Sequence, residues 1–288
     1  LLQISPVLSQ SASLLEVLRR EGFTEFASLL EGPSGADILN AGPNLIVYAP
    51  TNAAFLEDDI FGLTRRTTDD AQAKIQVADG TSDSGDKQKR AKSTCTADPG
   101  SEVFVTLLDD PEFVNLGPGQ NARIVQKNVP NAALPTVLTG RGATVKVTGL
   151  DIPYNNGVIR PVSGVFTLPY LLSETLPFLG ADKTLAALQS TGLLAELNNR
   201  TSITFLAPDD TVINGLSDTE LVNVLRQHVI LGLPVYTPLI VDGAVYTTLA
   251  GTNVTASVRG PDFFIGGARI LAGDTIIKNG VVHTADRV

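Results

Sequence analysis

The two histidines of the chain, His228 and His283, are the side chains best suited to chemistry. Together with Asp218 and Asp286 they could bind a divalent ion, because imidazole nitrogen and carboxylate oxygen are common ligands. His283 and Asp286 could also belong to a Ser-His-Asp hydrolase. However, the sequence contains no HExxH or CxxC spacing and no Gly-x-Ser-x-Gly turn. We therefore predict no metal site and no independent catalytic activity.

A structural role for both imidazoles fits their surroundings better. His228 lies in the apolar segment LVNVLRQHVILG, and His283 follows two valines. A histidine at such a position usually forms a hydrogen bond with a backbone carbonyl. Cys95, the single cysteine, lies in a polar segment without an activating group, and phosphate-binding glycine patterns are missing. No cofactor is expected.

Composition narrows the possible partners. The 288 residues are 43% apolar and 18% charged, which is enough to build a core. A net charge of −9 argues against nucleic acid and against anionic membranes, because both require clustered Lys and Arg. The apolar runs are too short to span a bilayer. The sequence has no Met, so either it is shortened or a signal peptide has been removed, and we expect a secreted or cell-surface protein.

Two N-x-S/T sequons support the expectation of secretion. Asn199 precedes Arg200-Thr201, and Asn253 precedes Val254-Thr255. Asn199 falls between a predicted helix and a predicted strand, and Asn253 falls in a predicted turn, so both side chains should be exposed. We expect a glycan on at least one of them.

An internal repeat organises the chain. The segment LIVYAPTNAAF (45–55) has the same pattern as ITFLAPDDTVI (203–213), 158 positions later. Three further blocks recur in the same order: 14–23 with 184–193, 136–149 with 247–260, and 155–165 with 278–288. The pattern indicates a duplicated domain, with copy one at 1–168 and copy two at 171–288.

The offsets between these blocks are 170, 158, 111 and 123, and their changes predict insertions. Copy one should carry about 12 extra residues before its Ala-Pro corner and about 47 after it, much of them in the polar stretch 64–101. Copy two should carry about 12 extra residues near DFFIGGARILAG. Because the stretch 64–101 is poor in large apolar residues, we expect a surface excursion that is mobile or pinned only locally on copy one. Within it, Lys89-Arg90 is either a solvated charge patch or a protease site that is cut after Arg90.

Local patterns predict the elements of each copy. Each copy should open with a helix, and LIVYA and ITFLA read as buried strands that stop at Pro50 and Pro208. The pairs Thr51-Asn52 and Asp209-Asp210 suit N-caps of the helices that follow. ATVKVTG and TASVRG alternate as half-buried strands do. The resulting fold class is α+β, with a mainly antiparallel sheet in each copy.

The Ala-Pro corner and the final NGVVHTADRV resemble two signature segments of the fasciclin (FAS1) family, and LVNVLRQHVILG resembles the central one. Copy two has Gln227 where the family usually has Tyr. Copy one has Arg160 at the position of His283 and, with no histidine, is taken to lack the central segment. The resemblance implies two tandem FAS1 domains, each a mainly antiparallel β-sandwich or wedge with flanking helices, as in tandem proteins of filamentous fungi. It also implies that the motif residues are structural: Pro50, Asn52, Pro208, Asp210, His228, His283 and Asp286.

Two functions follow from the resemblance. One is a non-enzymatic adhesion or matrix-binding module whose partner is an extracellular protein or a cell-wall component. The alternative is an auxiliary protein that assists a secreted laccase in the oxidative coupling of aromatic polyketides. A polar, glycan-flanked surface would favour adhesion, whereas a largely apolar cleft between the domains would favour the laccase auxiliary.

Overall fold

The structure is a computed structural model, and it describes residues 12–32, 35–58, 68–82, 101–129, 131–210, 213 and 218–287. Within these ranges each copy contributes one β-sheet and a set of short helices. The helices are α1 (Leu14–Arg20), α2 (Thr24–Leu30), α3 (Gly35–Leu39), α4 (Asn52–Asp58), α5 (Thr68–Ile75), α6 (Leu172–Thr175), α7 (Asp182–Ser190), α8 (Leu193–Asn199) and α9 (Asp218–Gln227). None of these described helices is long and apolar enough to cross a membrane.

Copy one provides a sheet of eight strands and copy two a sheet of seven. The first sheet comprises β1 (Leu45–Pro50), β2 (Val77–Ser82), β3 (Glu102–Thr106), β4 (Arg123–Lys127), β5 (Thr136–Leu138), β6 (Thr144–Lys146), β7 (Ile152–Tyr154) and β8 (Gly157–Val162). The second comprises β9 (Ile203–Pro208), β10 (Val229–Leu231), β11 (Val245–Thr247), β12 (Asn253–Arg259), β13 (Asp262–Ile265), β14 (Ala268–Ile277) and β15 (Gly280–Ala285).

The strand order is β6-β5-β4-β3-β2-β1-β8-β7 in the first sheet and β10-β9-β15-β14-β13-β12-β11 in the second. In both sheets the opening strand pairs in parallel with the last long strand: β1 with β8, and β9 with β15. The other strand pairs within the sheets are antiparallel. The predicted α+β class with two mainly antiparallel domains is confirmed.

Strands β1 and β9 read as continuous apolar runs because both of their faces are covered. All six residues of each strand are buried. In β1, Ile46 and Tyr48 pack into the interior of the sheet, whereas Val47 packs against the helices on the other face. A strand covered on both faces has no solvent side, so the sequence does not alternate.

The repeat is more regular in the structure than the sequence blocks suggest. Helices α1, α2 and α3 begin 158 positions before α6, α7 and α8, and β1 begins 158 positions before β9. The predicted offset of 170 and the 12-residue insertion before the corner are therefore wrong. The sequence match paired α1 with α7, whereas the structural counterpart of α1 is the preceding helix, α6. Neighbouring amphipathic helices that each end near a glycine share the same leucine spacing, so they are easily mistaken for one another.

The expectation of a surface excursion over 64–101 is also wrong for residues 68–82. They form α5 and β2, and Ala71, Ile75 and Ala78 are buried in the core of copy one. This segment corresponds to α9 and β10 in copy two. The Tyr48 N–H donates to the Gln76 carbonyl as the Leu206 N–H donates to the His228 carbonyl, both at 2.8 Å. Copy one therefore keeps the central segment, with Gln76 in place of His228.

One of the four hydrophobic clusters of the described residues joins the two copies. The interior cluster of copy one includes Tyr236, Ile276 and Val281 from copy two. Main-chain contacts reinforce this junction: Gly140 forms a parallel bridge with Ile276, and Tyr170 forms one with Ile277. Apolar packing and backbone bridges therefore both cross the junction.

Candidate functional site

The two Ala-Pro corners lie where β1 and β9 end, at Pro50 and Pro208. The Asn52 carboxamide oxygen accepts from the Glu25 N–H of α2 at 3.2 Å. The Asp210 carboxylate accepts from the Lys183 N–H at 3.2 Å and from the Thr184 N–H, both in the first turn of α7. The helices that these side chains cap in the structure therefore precede them in the chain. Capping of the following helices by Thr51-Asn52 and Asp209-Asp210 stays a prediction, and residues 211, 212 and 214–217 after the second corner lie outside the described residues.

This arrangement supplies a cap that the local sequence lacks. The residues just before α2 and α7, Phe23 and Ala181, offer no side-chain hydrogen bond to the first turn. The corner side chain provides the missing acceptor from 27 positions away. The first turn of each helix is thereby tied to the end of the central strand.

We expect Asp210→Ala to lower the free energy of unfolding by about 1–2 kcal/mol, because two N–H groups of α7 lose their acceptor. Asp210→Asn retains one acceptor oxygen, as Asn52 does in copy one, and should lose less than half as much. Urea unfolding of the purified variants measures both values. Equal losses for the two variants would contradict the capping role.

His283 lies at the centre of the junction and is fully buried. Its Nδ1 accepts from the Asp274 N–H at 3.1 Å, so the ring proton is assigned to Nε2, which donates to the Val235 carbonyl at 2.8 Å. Burial lowers the pKa of His283 because the charged imidazolium is poorly solvated there. Both ring nitrogens are occupied, so a metal ion could bind only by displacing one of these partners.

Asp274 is a fully buried carboxylate that sequence reasoning missed. It accepts from the Thr237 N–H at 2.7 Å and from the Thr237 hydroxyl, and the Lys127 ammonium lies 2.7 Å from its second oxygen. Lys127 belongs to β4 of copy one, and Asp274 to β14 of copy two. The pair is therefore an ion pair between the copies.

The backbone of β14 is irregular where this carboxylate is placed. The pairing with β15 shifts between Ala272 and Thr275, and Asp274 has a φ of 68°. A Cβ on Gly273 would lie 2.8 Å from Thr237 Cγ2 and 3.1 Å from His283 Nδ1. Glycine is therefore required for the backbone to pass between the imidazole and Thr237.

His228 lies apart from this network, at the end of α9. Its Nδ1 is 2.8 Å from the Val224 carbonyl and its Nε2 is 3.3 Å from the Arg287 carbonyl. The ring thus connects the last turn of α9 to the end of the described chain. Its structural role remains a prediction, and these two contacts support it.

Of the four residues of the metal and hydrolase hypotheses, the side chains of His228, His283 and Asp286 are described, and each has partners of its own. The Asp286 carboxylate accepts from the Arg269 N–H at 2.9 Å and pairs with Arg287, which together hold its pKa below the usual value. His283 instead contacts Asp274. Asp218 begins α9, but its side chain lies outside the described residues, as do Arg90 and Cys95. Processing after Arg90 remains a prediction.

Arg160 replaces His283 at the matching position of copy one, since β8 pairs with β1 as β15 pairs with β9. Its guanidinium binds both oxygens of Asp151, at 2.8 and 2.7 Å, and donates to Gln126 at 2.6 Å. It also lies over the Tyr48 ring, 5.6 Å from the centroid. Copy one thus has a partly buried ion pair at the strand position where copy two has a buried imidazole.

A groove of about 660 Å³ lies between the copies. Its lining is mixed, with four apolar and four polar residues: Pro111, Val114, Leu171 and Ala195, and Asn115, Asn198, Asn199 and Lys278. One backbone hydrogen bond crosses the junction at the groove, from the Asn115 N–H to the Lys278 carbonyl at 2.7 Å, and the Lys278 N–H donates to the carbonyl of Tyr170, in the segment that joins the copies, at 2.7 Å. No carboxylate among the described residues forms an ion pair with the Lys278 ammonium.

The two sequons differ in their relation to this groove. Asn199 ends α8, is exposed and lines the groove. Asn253 begins β12 in a hairpin of copy two, is also exposed and does not line the groove. Exposure permits a glycan at either asparagine without loss of packing.

A fasciclin domain model matches residues 180–288. A fasciclin-like arabinogalactan protein of Cercospora beticola, CTB11, is 27% identical over 95% of this chain and 75% of its own length. One of Arthroderma benhamiae is 24% identical over 92% of this chain and 63% of its own. The elcF protein of Phaeosphaeria nodorum, of the same description, is 23% identical over 98% and 90%.

Among solved structures, a FAS1 domain pair from the insect cell adhesion molecule Fasciclin I is similar to this chain. It is 15% identical, with coverage of 93% of this chain and 97% of that one and a TM-score of 0.41.

Proposed function

The chain is a tandem fasciclin protein, and from that premise we propose that it acts outside the cell as a non-enzymatic adhesion or matrix-binding module. The groove between the copies carries this proposal. Half of its lining residues are polar, and the sequon residue Asn199 is among them. Such a surface suits a hydrated partner, a cell-wall component or an extracellular protein, better than a flat aromatic molecule.

The electrostatics of the groove favour a partner with a negative or strongly polar surface. The protein carries a net charge of −9, yet the groove presents the Lys278 ammonium without a carboxylate partner among the described residues. A half-buried cation beside three asparagine side chains can donate hydrogen bonds to carboxylate or hydroxyl oxygens. The residues around it are held rigidly, so binding requires little ordering of the protein.

The test compares two charge reversals. Lys278→Glu changes the groove and leaves the backbone hydrogen bonds of residue 278 intact. Lys146→Glu changes an exposed lysine of β6 that does not line the groove. Binding of the secreted protein to hyphal wall fractions should weaken by roughly tenfold or more for Lys278→Glu and remain unchanged for Lys146→Glu. Equal binding by both variants, or no binding by the unmodified protein, would reject the groove as the adhesion surface.

The laccase-auxiliary function is the second candidate, and the apolar part of the groove favours it. Pro111, Val114, Leu171 and Ala195 could contact an aromatic ring. The purified protein is added to a secreted laccase with a phenolic polyketide, and the ratio of coupled isomers is measured. A ratio that changes with the protein and returns to the laccase-only value with Lys278→Glu would support this function over adhesion.

A further inference from the structure

We propose that the N-linked glycan of Asn199 lies in the groove between the copies, contacts Asn115 and Lys278, and holds copy one against copy two. The inference rests on the extracellular location in the proposed function and does not depend on adhesion. The glycan would then form part of the surface that a partner meets.

The position of the attachment residue is the first argument. Asn199 is the exposed last residue of α8, and the groove that it lines includes Pro111, Val114 and Asn115 from copy one. Its Nδ2 donates one hydrogen bond of 2.9 Å to the Ala195 carbonyl. A glycosylated amide keeps one N–H, so this hydrogen bond can persist after modification.

The chemistry of the lining is the second argument. The inner sugars of an N-glycan carry hydroxyl and acetamido groups, which both donate and accept hydrogen bonds. The Lys278 ammonium supplies donors, and the Asn115 carboxamide, whose Nδ2 donates to the Arg200 carbonyl at 3.4 Å, supplies its oxygen as an acceptor and one further N–H. Val114 and Leu171 can contact the C–H face of a sugar ring. The groove is open to solvent, and its volume of about 660 Å³ leaves room for the inner sugars.

Covalent attachment of the glycan to Asn199 explains how a groove without an aromatic side chain can hold a sugar. The chain has no Trp, and no aromatic residue lines the groove in the part of the chain that the structure describes. A free saccharide would therefore bind weakly. A covalently attached one has an effective concentration of roughly millimolar or more, so weak hydrogen bonds suffice.

Two matched substitutions test the proposal, Thr201→Val and Thr255→Val. Each removes the sequon hydroxyl while its asparagine stays in place, at a residue that is exposed in the structure. Thr201→Val removes the glycan from the groove, and Thr255→Val removes only one on the hairpin of copy two. Intact-mass analysis of protein from a secreting fungal host shows which sites are occupied.

Hydrogen exchange of the Asn115 amide, which donates to the Lys278 carbonyl of copy two, is the readout. Exchange at this amide should be roughly 3- to 10-fold faster in Thr201→Val than in the unmodified protein, and unchanged in Thr255→Val. The Leu206 amide, bonded within copy two, should not change in either variant. An unoccupied Asn199, or equal exchange in the three proteins, would overturn the proposal. The assay contains no partner, so its failure leaves the adhesion test unaffected.

Discussion

Lys127→Met should lower the free energy of unfolding by about 3–5 kcal/mol, the largest effect that we expect from a single substitution. The substitution leaves the Asp274 carboxylate fully buried, with the Thr237 donors but without its cation. An uncompensated buried charge is costly because the low-dielectric interior cannot solvate it. Chemical denaturation at neutral pH measures the loss.

Two further variants separate the ion pair from the loss of a lysine. Lys146→Met removes an exposed lysine of copy one and should change stability by less than about 0.5 kcal/mol. The double variant Lys127→Met/Asp274→Asn should recover about half of the loss, because the Asn amide is neutral and can still bond with Thr237. A loss for Lys127→Met no larger than that for Lys146→Met would show that the ion pair does not stabilise the junction.

Sequence reasoning succeeded where a signal was local. The apolar runs that end at Pro50 and Pro208 predicted two buried strands, and both strands end at those prolines. A proline has no N–H to donate to the neighbouring strand, so a single residue is enough to predict where the strand ends. The duplication and the α+β class followed from such local signals repeated in order.

Sequence reasoning failed where the partner is distant in the chain. The caps from Asn52 and Asp210 reach helices 27 positions earlier, whereas local rules pair a cap with the helix that follows it. The Lys127–Asp274 pair joins residues of different copies. The sequence of copy two did contain a signal for the buried carboxylate, since Gly273-Asp274 lies between the mainly apolar segments ILA (270–272) and TII (275–277) of one strand. That pattern predicts a turn as readily as a bulge that carries a buried carboxylate.

The free energy of unfolding should decrease as the pH falls below 6.5. Protonation of His283 in the unfolded chain should account for up to about 1.4 kcal/mol of this loss at pH 5.5. Burial is the main cause of its lowered pKa; the Lys127 charge also lowers it, while Asp274 and the Val235 hydrogen bond act in the opposite sense. The unfolded chain binds a proton as the pH falls through the ordinary value of 6.5, but the folded protein does not. Stability from this residue is therefore fully present above pH 6.5 and is lost as the pH decreases from there towards the folded-state pKa.

His283→Asn isolates this contribution, because every other titrating group stays in place. The Asn carboxamide oxygen can still accept from the Asp274 N–H, while the Val235 carbonyl loses its donor. The variant should be less stable than the unmodified protein by about 1–3 kcal/mol at pH 7.5. That gap should narrow between pH 7.5 and 5.5, since the variant has no imidazole to protonate on unfolding. The carboxylates with lowered pKa values, Glu16 and Asp286, titrate below this window. A gap that stays constant between pH 7.5 and 5.5 would show that His283 is protonated equally in the folded and unfolded states, contrary to a neutral imidazole bonded between Val235 and Asp274.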